Sequence, residues 1–119
     1  MFPGSPSQAQ IIGNSRTTTG LLATVPAGMT LTANIGMTAA VAVLGTATPT
    51  VTVNGTNAAP AAGTVLARLT VSGLLAAAAA AAEDFEVIVK APPENSVTLD
   101  FTAGGVGASS ATINGWYFS

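Results

Sequence analysis

Few side chains in this sequence can carry chemistry, and they fall into four small groups. Glu83, Asp84 and Glu86 form the densest patch of charge. Carboxylate oxygens suit Ca²⁺, but a calcium loop spaces them around a glycine-punctuated turn. That spacing is missing here and Glu86 opens a strand pattern, so a solvated turn is expected. Glu94 and Asp100 are the remaining carboxylates. Glycoside hydrolysis needs such a pair flanking a substrate cleft. Loops of Ala and Gly build no cleft, and Asp100 reads as a residue on the polar face of a strand. Gly104-Gly105-Val106-Gly107 is glycine-rich, but no Lys-Ser/Thr and no helix pattern follow it. It reads as an inter-strand loop rather than a phosphate cradle. Last come Trp116, Tyr117 and Phe118. Alternation puts Trp116 and Phe118 on one side and Tyr117 on the other. Exposed rings can stack on a sugar; the preferred reading is core closure combined with a subunit contact.

The elements that must position these groups are bounded by composition. The chain has 119 residues, with 49% apolar, 7% charged, three basic and five acidic side chains, no His and no Cys. Typical soluble domains carry about 25% charged residues. Zinc fingers, thiolate chemistry, disulfide frameworks and His-dependent triads are excluded. Electrostatic nucleic-acid binding is not expected, since it depends on Lys and Arg neutralising phosphates. No catalytic residue, cofactor or metal is expected. A membrane-spanning helix needs about 20 apolar residues, whereas the longest apolar run covers 74–82 and ends at Glu83 and Asp84. No membrane partner is therefore expected. The first residues lack the basic and apolar regions of a secretory signal. High hydrophobicity with low net charge argues against disorder. What remains is dense packing, with a surface of Thr, Ala, Gly, Asn and Ser. Such a surface suits a chain largely covered by other protein chains better than a solitary monomer. The lack of Cys leaves the redox compartment open.

Period-two alternation dominates beyond Gly20. Met29, Leu31, Ala33, Ile35 and Met37 share one face, opposite Thr30, Thr32, Asn34 and Thr38. Similar alternation covers 50–54, 65–71, 85–90 and 96–102, which argues for antiparallel strands with one buried face each. Further strands are expected over 21–25, 39–44 and 111–118. Pro26-Ala27-Gly28, Asn54-Gly55 and Pro92-Pro93-Glu94-Asn95 read as turns, and Asn-Gly is a strong tight-turn dipeptide. Residues 104–110 read as a flexible loop. The run 74–82 is open between a short helix, a compact loop and a strand: alanine favours helix, but carboxylates at its C-terminal end oppose the helix dipole. Residues 1–19 read as an extended arm with a short strand near 10–13, and 20–119 as a single all-β domain. About eight strands in about 100 residues suggest a two-sheet, jelly-roll-like β-sandwich.

Several stretches look like small β-rich structural proteins of tailed bacteriophages. They are Leu22-Ala23-Thr24-Val25-Pro26-Ala27-Gly28 and Ala47-Thr48-Pro49-Thr50-Val51-Thr52-Val53-Asn54-Gly55. Val97-Thr98-Leu99-Asp100-Phe101-Thr102 and Ala111-Thr112-Ile113-Asn114-Gly115-Trp116 extend the likeness. A Thr-Val-Pro-Ala-Gly element opening a sandwich is similar to what capsid decoration (cement) proteins and tail-fibre domains carry. The resemblance covers roughly 20–118 and implies a non-enzymatic virion protein, made in the host cytoplasm and mounted on the capsid exterior. It implies a homotrimer bridging major capsid subunits. The expected oligomer or capsid contacts are Phe2, Ile11, Ile12, Leu66, Ile88, Trp116 and Tyr117. Two alternatives make other demands. A fibre or spike module binding a host-surface glycan would use Trp116 and Tyr117. An ice- or carbohydrate-binding module would use Thr rows, including Thr50 and Thr52.

Overall fold

The computed structural model describes residues 14–42, 44–75 and 77–119. It is all-β among those residues. The strands are β1 (Ser15–Arg16), β2 (Gly20–Val25), β3 (Thr30–Val41), β4 (Gly45–Ala47), β5 (Thr50–Asn54), β6 (Val65–Arg68), β7 (Val71–Gly73), β8 (Ala79–Lys90), β9 (Val97–Thr102) and β10 (Ala108–Phe118). One four-stranded sheet runs β1-β10-β3-β8; the other runs β2-β9-β5-β6. Every pairing is antiparallel. These two orders are the interleaved Greek keys of a jelly roll, so the expected β-sandwich is the observed fold. A small ribbon of β4 and β7 is paired separately from both sheets and contacts β3 and β8.

The core follows directly from the alternation. Leu31, Ile35 and Met37 of β3 face Val25, Leu99, Phe101, Val51 and Val53 of the second sheet, and all are buried. The described residues contain no buried polar side chain. The sandwich therefore owes its stability to apolar burial and to backbone ladders.

Four local expectations are corrected. Strands expected over 29–38 and 39–44 are the single β3, because each of its residues pairs with β8 from Thr30↔Lys90 to Val41↔Ala79. The segment 65–71 is divided: β6 belongs to the second sheet and β7 to the ribbon, with Leu69 N–H bonded to the Pro49 carbonyl at 3.2 Å between them. Asn54-Gly55 is no two-residue hairpin; it opens a loop that returns at Thr64, closed by Gly63 N–H to the Val53 carbonyl at 2.7 Å. The stretch expected as a loop before 111 already holds β10, which begins at Ala108.

The alanine run resolves into a turn and a strand. Leu74 and Ala77 exchange backbone hydrogen bonds of 3.1 and 2.9 Å, and β8 starts at Ala79. Alanine's helical preference is worth only tenths of a kcal/mol per residue over other good helix formers. A continuous ladder with β3 outweighs it. At the other end of the chain, the final residues of the arm join the sheet, since Ser15 and Arg16 pair with Thr112 and Ala111. The expected strand near 10–13 lies outside the described residues.

Candidate functional site

The carboxylates do not converge. Asp84 and Glu86 lie on the outer face of the long sheet, opposite Gly36 and Asn34, while Glu83 is opposite the buried Met37. Neighbouring residues of a strand point to opposite faces, so Glu83 is turned from the other two. Among the described residues no three acidic side chains are grouped to hold a metal ion. Asp100 sits mid-strand on the outer face of the second sheet. Its carboxylate accepts from the Asn54 amide and from Thr98 Oγ1, the latter at 3.3 Å. Glu94 is exposed in the turn between β8 and β9.

The glycine segment is structural. Gly105 and Gly107 have φ of 77° and 84°. A Cβ on either would run into a carbonyl oxygen, of Thr46 and Ala40 respectively. Val106 N–H donates to the Thr46 carbonyl at 3.0 Å, and Thr48 N–H to the Gly104 carbonyl at 2.8 Å. What reads as a flexible loop is a close backbone contact that ties the ribbon to β10.

The expected contact residues divide. Phe2, Ile11 and Ile12 lie outside the described residues. Trp116 is half-buried, packs against the core and meets Phe118 edge to face at 5.3 Å. Leu66 is the extra residue of a bulge in β6 and also packs against the core. Tyr117 and Ile88 both pair with Thr32, so they flank it in one row across the outer face. They are 59% and 60% exposed. The Thr rows also divide. Thr24 pairs with Thr98 and Thr50 with Thr102, but Leu21, Asp100 and Val65 occupy the row between them.

An unpartnered apolar surface among the described residues lies elsewhere, at the end where β3 finishes and β8 begins. Leu44, Leu74, Leu75 and Val106 are exposed there, Leu75 to 82%. Gly45 abuts Val106, and Gly107 abuts the Ala40 carbonyl, so the loops carrying these residues meet. Ala40, Ala42, Ala78, Ala80 and Ala108 line a hollow of about 430 Å³ between them. The segments 40–45, 71–82 and 104–111 contain no charged residue. Exposed apolar surface of this kind is a candidate site for a protein contact. The sequence signal was Leu74-Leu75 ahead of a charge-free alanine run, whose small side chains permit close approach of another backbone. Leu44 and Val106 gave no signal, because each is a lone apolar residue beside glycine.

No protein-family model matches the sequence, and no curated protein matches it. Among solved structures, one similar chain is from the structure of infectious bursal disease virus, Gx strain, at 17% identity and a TM-score of 0.32. The match covers 87% of this chain and 30% of that one, so this chain spans under a third of the length of its structural neighbour. A likeness this loose carries no functional argument.

Proposed function

We propose that the protein is a structural component of a virion, a capsid cement protein of a tailed phage that bridges major capsid subunits as a trimer. The observation that carries this reading is the charge-free apolar end built by Leu44, Leu74, Leu75, Val106 and the alanines. A cement protein acts by adding contacts that exist only in the assembled shell, so assembly is favoured by linkage rather than by chemistry. That demands a broad apolar surface, which this end supplies. A trimer would form through a heterologous contact that closes on itself.

The test is co-sedimentation of the purified chain with capsids stripped of it, alongside native mass by light scattering. Wild-type protein is expected to bind and to weigh three chains. Leu75→Asp and Leu44→Asp are expected to lower capsid binding at least tenfold with unchanged circular dichroism. Undiminished binding by the doubly substituted protein would sink the proposal. Tyr117→Ala provides the contrast, because a glycan-binding module would lose adsorption to cells through that change.

A further inference from the structure

A β-sheet edge presents unpaired N–H and C=O groups, and proteins guard such edges with shortness, bulges, charge or cover. Three of the four edges of this sandwich are guarded. Strand β1 has two residues and pairs only with Ala111 and Thr112 of β10, whose own outer edge beyond it is broken by the bulge at Asn114. Strand β2 is bulged at Leu22, whose carbonyl accepts from Asn14 Nδ2 at 2.7 Å. Strand β6 has four residues, one of them the bulged Leu66. Strand β8 differs: it has twelve residues in an unbroken register with β3 and is the outermost strand of its sheet.

Its outward-facing groups can be identified. Lys90 exchanges two backbone hydrogen bonds with Ala59, of 3.0 and 2.8 Å, on the side away from β3. Alternate residues of an antiparallel strand direct their backbone groups to the same side. Ile88, Glu86, Asp84, Ala82 and Ala80 therefore point theirs outward, and no strand among the described residues pairs with them. Lys90 is covered by Ala59, and the chain before Ala79 turns back on itself at Leu74 and Ala77. Between these limits there is no Pro and no bulge, and the charges Glu83, Asp84 and Glu86 all lie beyond Ala82, so the edge over Ala79–Ala82 carries none of these guards. Over Ala80, Ala81 and Ala82 both faces of the strand are exposed, so no side chain obstructs a second strand.

We propose that β8 of one copy pairs antiparallel with β8 of a second copy about a two-fold axis at Ala81. A second copy is the occupant because the alanine stretch is complementary to itself and charge selects the register. With Ala81 opposite Ala81, Ala80 and Ala82 of one copy bond Ala82 and Ala80 of the other, and Glu83 faces Ala79. The two Asp84 carboxylates then lie about 20 Å apart, at about 3.4 Å per residue, beyond the roughly 8 Å screening length of physiological salt. Sliding the register toward Phe85 brings the acidic residues of the copies together. Sliding it the other way runs into the turn at Ala77. The pairing joins two four-stranded sheets into one of eight. Strand pairing alone falls short of the roughly 1,200 Å² of a stable interface, so the pairing is expected to be weak and to show at high protein concentration.

This contact is isologous, whereas a closed trimer uses a heterologous one, so the two are independent, and a chain that makes both exceeds the three-chain mass at concentrations where the edges pair. The experiment exploits the absence of native Cys. In the proposed register Ala81 forms a non-hydrogen-bonded pair with its counterpart, with Cα atoms about 4.5 Å apart, within disulfide range. Ala81→Cys is expected to oxidise to a covalent dimer in high yield, with Ser96→Cys as the unlinked control. Ala82→Lys places like charges across the axis and is expected to weaken pairing at least tenfold by light scattering, with an unchanged circular dichroism spectrum. Ala82→Pro is the second variant, since it removes an outward N–H and leaves the bonds to β3. Absence of the Ala81→Cys dimer, together with a native mass that neither Ala82 variant alters, overturns the pairing. A three-chain mass in that case leaves the cement reading intact. Covalent dimers of a protein that fails to bind capsids would retain the pairing and remove the cement reading.

Discussion

From Phe85 to Lys90, strand β8 alternates between packed and exposed side chains over the sandwich core. From Ala79 to Asp84 the same strand is largely exposed on both faces. Both halves share one ladder with β3. The difference lies in what covers them: Val87 and Val89 are buried in the sandwich, while the alanine half extends along the edge of the sheet without a cover of its own. Backbone pairing thus fixes conformation in both halves, but burial fixes sequence only in the second. Side-chain burial therefore places little constraint on the composition of the first half.

Truncation in the packed region breaks the comparison hardest. Phe101 is fully buried in the second sheet, and Phe101→Ala is expected to cost about 3–5 kcal/mol through lost transfer energy and a cavity. Ala81→Ser, in the exposed half, is expected to stay within about 0.5 kcal/mol. Chemical denaturation of both proteins measures the gap. Similar losses in the two would show that the alanine half is part of the folding core.

A smaller effect separates backbone from side-chain constraints at the apolar end. Gly107 has a φ of 84°, and a Cβ there would collide with the Ala40 carbonyl. Gly107→Ala is expected to cost about 1–3 kcal/mol, the usual range for a residue forced into such a region. Hydrogen exchange should show the loss concentrated at the start of β10. A neutral result would mean that the glycine segment is the flexible loop that its composition suggests.

These cases show which parts of the molecule are legible in sequence. Alternation over 29–38, 50–54, 85–90 and 96–102 identified the buried faces because burial itself imposes the period. The inward Trp116 and Phe118 and the outward Tyr117 followed from the same rule. Alanine carries no such signal: it is small enough for either face, and its helical preference points away from the strand it forms. The ribbon of β4 and β7 was hidden because three-residue strands show no period. The tight fit of Gly105 and Gly107 depends on Thr46 and Ala40, some 60 residues earlier in the chain. The apolar end combines residues from loops that only the fold brings together.

The finest test uses the mismatch between alanine and the strand it occupies. Alanine is depleted in strands and Thr is enriched, on a scale spanning about 1 kcal/mol. Ala80 and Ala82 are exposed on the outer face beside Ala40 and Thr38, where Thr would fit a solvated strand well. Ala82→Thr is therefore expected to stabilise the isolated chain by about 0.5 kcal/mol, a rise in Tm of about 2–4 °C. If the alanines serve only as solvated strand, that is the whole effect. If they are kept small so that another strand can approach, the same change weakens self-association while raising Tm. Thermal unfolding at low protein concentration, paired with light scattering at high concentration, separates these outcomes. Opposite signs in the two measurements would mean that the first half of β8 is selected for contact at the expense of its own stability, as the proposed pairing requires.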